Sequence, residues 1–359
     1  MHSMSSISRR HYLSGTASVG SLLIAGCLGG DDDTDDADGS DTDDDGFEFG
    51  DYDEQISAGW AEEGGAGYTL GQIVATQLHE HSEFGMDVGA TSGGANMRHL
   101  DEGDYDLGYT NAHVYTLAYD RKNPYDNPEI EQDIWQAFGI FDVTCFFIAR
   151  EDSGVETLSD FEDANVTIYT PAASMHLAAR DGLENVGVYE DMNERQYPVN
   201  DVPRPFETGE VDVAMAYNVV EEITPGWVQE LTPQLDDDEF KFVQMTDEEA
   251  DLMGVGGNTM VKHTPSGYYE DDGEPEIWAF RLGYNQHALP DFPDDLMYDF
   301  LQDLHDLSEN FHEDSPLAAR LGTQEGFELL LKDYPIHPGA AEFYQDQGWW
   351  NDEWTEGSR

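Results

Sequence analysis

Positive charge is what this chain has least of. Its 359 residues carry 15 Lys and Arg against 77 Asp and Glu, a formal net charge of −62. So few cations leave little to neutralise phosphates, which argues against nucleic acid and anionic membrane surfaces as partners. Cysteine is nearly absent too, with only Cys27 and Cys145. Cys145 sits in the apolar run 143–149 with no cation or histidine near it in sequence, so it reads as a core residue and not a nucleophile. The usual catalytic signatures are missing as well: no His-Glu-x-x-His, no Gly-x-Ser-x-Gly in a strand-turn-helix setting, no phosphate-binding loop. In a chain this acidic, neighbouring carboxylates are expected by chance and cannot be sorted into catalytic pairs. The cluster Leu78-His79-Glu80-His81 looks metal-like, but positions two apart on a helix face different directions. Nothing here calls for an enzyme, a metal or a cofactor.

The N-terminus says where the protein works. Arg9-Arg10 precede a short apolar run at 19–25, which closes in Ala25-Gly26-Cys27. A twin-arginine pattern, a short apolar segment and small residues before a cysteine form the pattern of an exported lipoprotein. The run falls far short of the roughly 18–20 residues of a spanning helix. Residues 1–26 are therefore expected to be a leader, with Cys27 the lipid-modified first residue of the mature chain, held at the outer face of the membrane. With Cys27 so used, no intrachain disulfide can form. Residues 27–51 follow with the tract "GGDDDTDDADGSDTDDD", too poor in apolar side chains to repay the entropy of ordering; this is a tether. The acidity continues along the whole chain and is not confined to that tract. At molar salt the Debye length shrinks to about 3 Å and screens the self-repulsion, so the composition reads as adaptation to high salt.

Beyond residue 51, short apolar segments alternate with amphipathic ones. Strands are expected at 54–59, 85–91, 107–110, 166–169, 195–199 and 211–216, and the block 135–150 is read as two strands. Helices are expected at 68–79, 95–102 and 174–183, with further helices between 294 and 347. That order is an α/β architecture, whose ligands gather outside the carboxyl ends of the strands. Three small-residue loops fall there: Gly64-Gly65, Thr91-Ser92-Gly93-Gly94, and 170–174. Backbone N–H groups at such helix starts, with the helix dipole behind them, can hold a carboxylate without Lys or Arg. Any one loop alone is more simply an N-cap. Three at equivalent strand ends point to binding.

Several stretches together carry a family resemblance. These are "GGAGYTLG" (64–71), "TSGGANMRHLDEGDYDLGYTNAHV" (91–114), "REDSGVETLSDF" (150–161), "GEVDVA" (209–214) and "IHPGAAEFYQDQGWW" (336–350). In these the chain resembles the TAXI family of extracytoplasmic solute-binding proteins, which serve TRAP-type secondary transporters. The likeness spans roughly residues 52–350. It departs at "PAASMH" (171–176), at "HTPSGYY" (263–269) and at Tyr217-Asn218-Val219, so the binding role carries over and the ligand does not.

The resemblance implies a periplasmic-binding-protein type II-like fold, with residues 52–146 and 260–359 as lobe one and 147–259 as lobe two. A ligand would sit in the cleft between them: a small carboxylate or amino acid, glutamate- or 2-oxoglutarate-like, passed on to a TRAP-type permease. On position, Trp60, Gly65, Tyr68, Thr91, Ser92, Gly93, Asn111 and His113 are the candidate ligand-binding residues of lobe one. Thr170, Ser174 and Asn218 are those of lobe two. Arg98 and Arg180 lie a turn or more inside their helices and read as surface ion pairs. Two other uses of the same cleft stay open on sequence alone: a surface enzyme consuming a small substrate, and a ligand-sensing lobe for a signalling partner.

Overall fold

The computed structural model describes residues 54–359 apart from Gly64, Ala172, 232–238 and 270–274. The expected leader, Cys27 and the tether lie outside these residues. The described chain belongs to one compact unit, Phe49–Arg359. None of its helices is long and apolar enough to cross a membrane.

Strands and helices alternate from the start: β1 (Glu54–Trp60), α1 (Ala66–His81), β2 (Phe84–Ala90), α2 (Gly93–Glu102), β3 (Leu107–Asn111) and α3 (Ala112–Tyr119). Next come β4 (Trp135–Arg150), β5 (Asn165–Thr167), α4 (Ser174–Val186), the two-residue β6 (Asn193–Glu194), α5 (Pro203–Thr208) and β7 (Val213–Val219). The chain then forms α6 (Gly226–Leu231), β8 (Phe240–Phe242), α7 (Asp247–Met253), β9 (Thr259–His263) and β10 (Ile277–Ala288). Four helices close it: α8 (Asp294–Asp306), α9 (Ser308–Asp314), α10 (Gln324–Phe327) and α11 (Pro338–Asp346). This is the α/β class the sequence predicts.

The ten strands of the described residues form one sheet in the order β2-β1-β3-β10-β4-β7-β5-β6, with β8 beside β4 and β9 beside β10. The first three pair in parallel, as do β7, β5 and β6. Between these parallel sets run the two longest strands, β4 and β10, antiparallel to each other. The sheet is thus two βα halves joined through a long central pair. Helix starts in both halves lie where parallel strands end, and this juxtaposition builds the site.

Two expectations are corrected here. The block 135–150 is one strand of 16 residues, not two. Gly139 and Asp142 look like breaks in the sequence but have packing roles. A β-carbon on Gly139 would fall 2.0 Å from the Gly326 carbonyl oxygen. Asp142 is fully buried and faces Arg320 Nε at 2.6 Å. No residue of the strand expected at 195–199 is a strand; the short strand here is Asn193–Glu194, and the chain then turns at Pro198 into a 3-10 segment.

Candidate functional site

Three helix starts converge where the strands end. At α2, Ser92 is the N-cap and its Oγ accepts from the Ala95 amide at 3.2 Å. At α1 and α4 the N-cap positions are Gly65 and Ala173, and neither supplies a side-chain cap. The first amides of a helix have no intrahelical acceptor, so those two ends present backbone donors that no N-cap side chain takes up, with the positive end of a helix dipole behind them. Gly93 of the first half meets Ser174 of the second: a β-carbon on Gly93 would lie 3.2 Å from Ser174 Cβ and 3.5 Å from Thr110 Oγ1. A side chain at 93 would press on Ser174 unless that residue shifted by a few tenths of an ångström.

Beneath this contact lies a layer of aromatic rings. Tyr109 and Tyr284 stack at 5.3 Å, Tyr284 and Phe141 at 5.0 Å, and Trp60 lies 5.9 Å from Tyr109. The Tyr284 hydroxyl is 3.0 Å from Ser174 Oγ, so the two halves touch through a hydroxyl pair. Burial pushes the Tyr284 pKa up to about 12, against smaller lowering effects from Ser174 and Asn111. Tyr284 is therefore a neutral donor at ordinary pH. Asn111 caps α3 by accepting from the Val114 amide at 2.9 Å. Its buried Nδ2 lies near enough to Tyr284 to influence it, yet makes no well-aligned hydrogen bond; Thr110 Oγ1 is likewise buried and unpaired. An unmade buried hydrogen bond costs about 1–3 kcal/mol, so such groups at the contact of two halves are reserved donors and acceptors.

Tyr169, just before the 170–174 loop, adopts a left-handed backbone at φ 72° although it is bulky. Its buried hydroxyl donates to the Met215 carbonyl at 2.5 Å and anchors the strained residue. That turn ends β5 and redirects Thr170, whose carbonyl accepts from the Ala173 amide at 2.9 Å. Strain of this kind concentrates where function needs it.

The predicted residues fall into two groups. Gly65, Thr91, Ser92, Gly93, Asn111, Thr170 and Ser174 all lie at the converging strand and helix ends, with Tyr68 partly exposed on the first turn of α1. The others are buried or already paired within the fold. Trp60 is fully buried against Gly71 of α1. His113, in the first turn of α3, is nearly buried and holds Asp181 of α4 at 2.9 Å. Asn218 Oδ1 accepts from His263 Nε2 at 2.9 Å and from the Ser266 amide at 3.1 Å. It pairs in register with Thr144, on the opposite face of β7 from Tyr217, which pairs with Cys145. Tyr217, the residue beside the one predicted, is thus the one turned toward Tyr169 and Tyr284.

Sequence reasoning missed Tyr284 because it did not recognise β10 as a strand. The aromatic and β-propensive run "IWAFRLGYNQHA" was the available signal. Arg98 is corrected as well: it donates to the carbonyls of Pro128 and Pro124 and lies over the Tyr125 ring, with no ion pair among the described residues. Arg180 pairs with Asp181 and Glu184, as expected. Cys145 is buried and burial pushes its thiol pKa up.

A cavity of about 570 Å³ opens on the other sheet face, lined by Thr144, Glu221, His263, Ser266 and Arg281 among others. Arg281 and Glu221 are 3.9 Å apart there, so opposite charges already face one another. The converging helix starts, with their unpaired polar atoms, are the stronger candidate. His99, Glu102 and Asp104 bring three potential metal-ligand atoms within 4.8 Å of one another, at an exposed corner where His99 is already paired with Asp104 at 2.9 Å.

The model of the NMT1-like family matches residues 60–348. The chain belongs to the NMT1-like family. Solved structures similar to this NMT1-like protein include the periplasmic aliphatic sulphonate binding protein SsuA from Escherichia coli. The identity is 14%, with 82% of this chain and 90% of that chain covered and a TM-score of 0.43. The periplasmic binding protein BugD is 14% identical over 82% of this chain and 98% of that one, with a TM-score of 0.45. XAC2383 from Xanthomonas citri, solved bound to ATP, is 9% identical over 81% and 94%, with a TM-score of 0.46. Membership of the NMT1-like family rests on the family match alone.

Proposed function

We propose that this NMT1-like protein is an extracytoplasmic solute-binding protein of the TAXI type. It captures a small carboxylate or amino acid between lobe one (52–146 and 260–359) and lobe two (147–259), and delivers it to a TRAP-type permease. Export by the twin-arginine route and a lipid on Cys27 would keep it at the outer face of the membrane. It binds and releases its ligand without turning it over. The observation that carries this reading is the meeting of Gly93 and Ser174, first residues of two helices from opposite halves, beside the unpaired Thr110 Oγ1 and Asn111 Nδ2. A carboxylate entering there would accept from helix-start amides and hydroxyls, and would satisfy donors that are otherwise buried unpaired.

The test is thermal unfolding of the full-length chain in molar potassium chloride with a panel of small carboxylates, amino acids and neutral sugars. A ligand at 100 times its dissociation constant adds about 2.7 kcal/mol of stability. The expected result is a raised midpoint with an acid and recovery of that acid unchanged. A folded sample that responds to no acid removes the carboxylate reading, and an altered ligand replaces binding with catalysis.

A further inference from the structure

We propose that the cavity on the face of the central strands opposite Tyr284 is a second ligand site, built for a small zwitterion with one carboxylate and one ammonium group. It lies outside the site described above and does not rest on the reading given to that site. Strand register places it. Arg281 of β10 pairs with Thr144 of β4, which pairs with Asn218 of β7, so these three side chains share one face. Tyr284 pairs with Phe141, each three residues further along its strand, and so faces the other way. The cavity of about 570 Å³ is lined by Thr144 and Arg281 together with Glu221, Glu222, His263 and Ser266.

Two groups in this lining are uncommitted. Cations are scarce in the chain, and Arg121, Arg150, Arg180, Arg320 and Arg359 each hold a carboxylate at 3.0 Å or less. Arg281 makes no hydrogen bond among the described residues, and its ion-pair contact is Glu221 at 3.9 Å. Glu221 is itself held by Arg320 at 3.1 Å. The second group is His263, which is buried and whose tautomer follows from Asn218. Asn218 Nδ2 donates to the Ser266 carbonyl at 3.0 Å, which fixes Oδ1 as the acceptor, so His263 Nε2 at 2.9 Å carries the hydrogen. Burial lowers the His263 pKa, against a smaller opposing effect of Glu221, so the ring is neutral and Nδ1 is an acceptor. Nδ1 has no hydrogen-bond partner among the described residues.

The backbone beside the cavity is strained. Val220 and Glu221 both take left-handed conformations, φ 49° and 66°, although neither is glycine and valine is β-branched. The Val220 amide donates to the Asp142 carbonyl at 3.0 Å and pins this turn to β4. The turn sets Glu221 and Glu222 on the cavity wall, and strained backbone clusters at ligand sites.

The charges sort ligands. A lone anion on Arg281 would stand beside two carboxylates, and a lone cation at Glu222 would stand beside Arg281. A molecule with both charges meets each with its opposite. Its carboxylate forks onto the Arg281 guanidinium, and its ammonium donates to His263 Nδ1 and Glu222. The Thr144 and Ser266 hydroxyls serve as donors or acceptors beside them. Lys262 also borders the cavity, but its ammonium lies over the Trp278 ring at 3.9 Å.

The experiment is titration calorimetry of the full-length chain at neutral pH in molar potassium chloride with four matched probes. L-serine carries both charges, 3-hydroxypropanoate lacks the ammonium, ethanolamine lacks the carboxylate and glycerol lacks both. Serine is expected to bind roughly tenfold tighter than any of the others, and Arg281→Gln to weaken it by roughly tenfold or more. Glu222→Gln, at an exposed position, serves as a second variant should Arg281→Gln fail to fold. It is expected to weaken serine by roughly threefold to tenfold and to leave 3-hydroxypropanoate unchanged. Serine that binds no tighter than a probe with one charge overturns the inference. So does serine binding that both variants leave intact, or no heat with serine from a sample with a cooperative unfolding transition. Each of these failures leaves the carboxylate cleft to its own test.

Discussion

At the residue scale, the segment "IHPGAAEFY" separates binding from architecture. His337 is fully buried at the N-cap of α11, its Nδ1 accepting from the Gly339 amide at 3.3 Å and its Nε2 donating to the Phe292 carbonyl at 3.0 Å. Pro338 takes the first helical position, where its missing N–H costs nothing. Gly339 lets the backbone of Asp294 approach so closely that a β-carbon would fall 2.0 Å from the carbonyl oxygen. One of the stretches that carried the family resemblance is therefore a helix start that docks the C-terminal helix. It also titrates. Burial lowers the His337 pKa to about 4, because a proton on Nδ1 would be desolvated and would end the cap. An unfolded histidine titrates near 6.5, so between these values only the unfolded chain takes up the proton. The contribution is complete above about pH 6.5 and is lost as pH falls toward 4, on the order of 3 kcal/mol in all. Buried His287, lowered to about 3, acts with the same sign. In His337→Asn, which keeps a capping side chain, denaturant midpoints from pH 7 to pH 4 are expected to fall less steeply by about one proton. An unchanged slope would remove His337 from the acid response.

At the scale of elements, the turn after α7 holds the two halves together beside the candidate site. Gly257 packs so tightly on the start of α3 that a β-carbon would fall 2.3 Å from the Ala112 carbonyl carbon and 2.4 Å from the His113 amide. Asn258 Nδ2 donates to the Ala178 carbonyl of α4 at 3.1 Å, and His113 reaches Asp181 of the same helix. One short turn thus touches α3 and α4 together. Gly257→Ala forces backbone against backbone and is expected to cost about 1–3 kcal/mol by urea unfolding. Gly226→Ala, at a site with nothing within 4 Å of the added carbon, is the matched control and is expected to be neutral or slightly stabilising. Equal losses in the two variants would remove the role given to the turn.

At the scale of the whole molecule, scarce cations are shared. Arg320 lies 2.6 Å from Asp142, 3.1 Å from Glu221 and 3.5 Å from Glu325, so one guanidinium serves three acids. Most other carboxylates have no such partner available in a chain of net charge −62, and their mutual repulsion opposes folding. Raising salt from about 0.1 M to 1 M shortens the Debye length from about 10 Å to about 3 Å. The thermal midpoint is therefore expected to rise steeply with potassium chloride over that range and then level off. A flat response would mean that the acidity is already neutralised within the fold.

Local chemistry made much of this legible in the sequence. The alternation of strands and helices, Ser92 as a cap, glycines at the helix starts and Cys145 as core follow from neighbours along the chain. Each depends on periodicity, backbone freedom or burial that a few residues specify. What the sequence did not disclose depends on pairing across long separations. The two central strands read poorly because a strand covered on both faces loses its alternation: β4 is one strand despite Gly139 and Asp142, and β10 escaped notice. The side of β7 that meets the site was decided by register, since Tyr217 opposes Cys145 and Asn218 opposes Thr144. A shift of one residue would exchange them. The sequence by itself determined an acidic α/β chain with small-residue loops at its strand ends. Only the tertiary structure decided that Gly93 meets Ser174 above a layer of rings, because that layer is assembled from strands β3, β4, β7 and β10, whose adjacency no local pattern encodes.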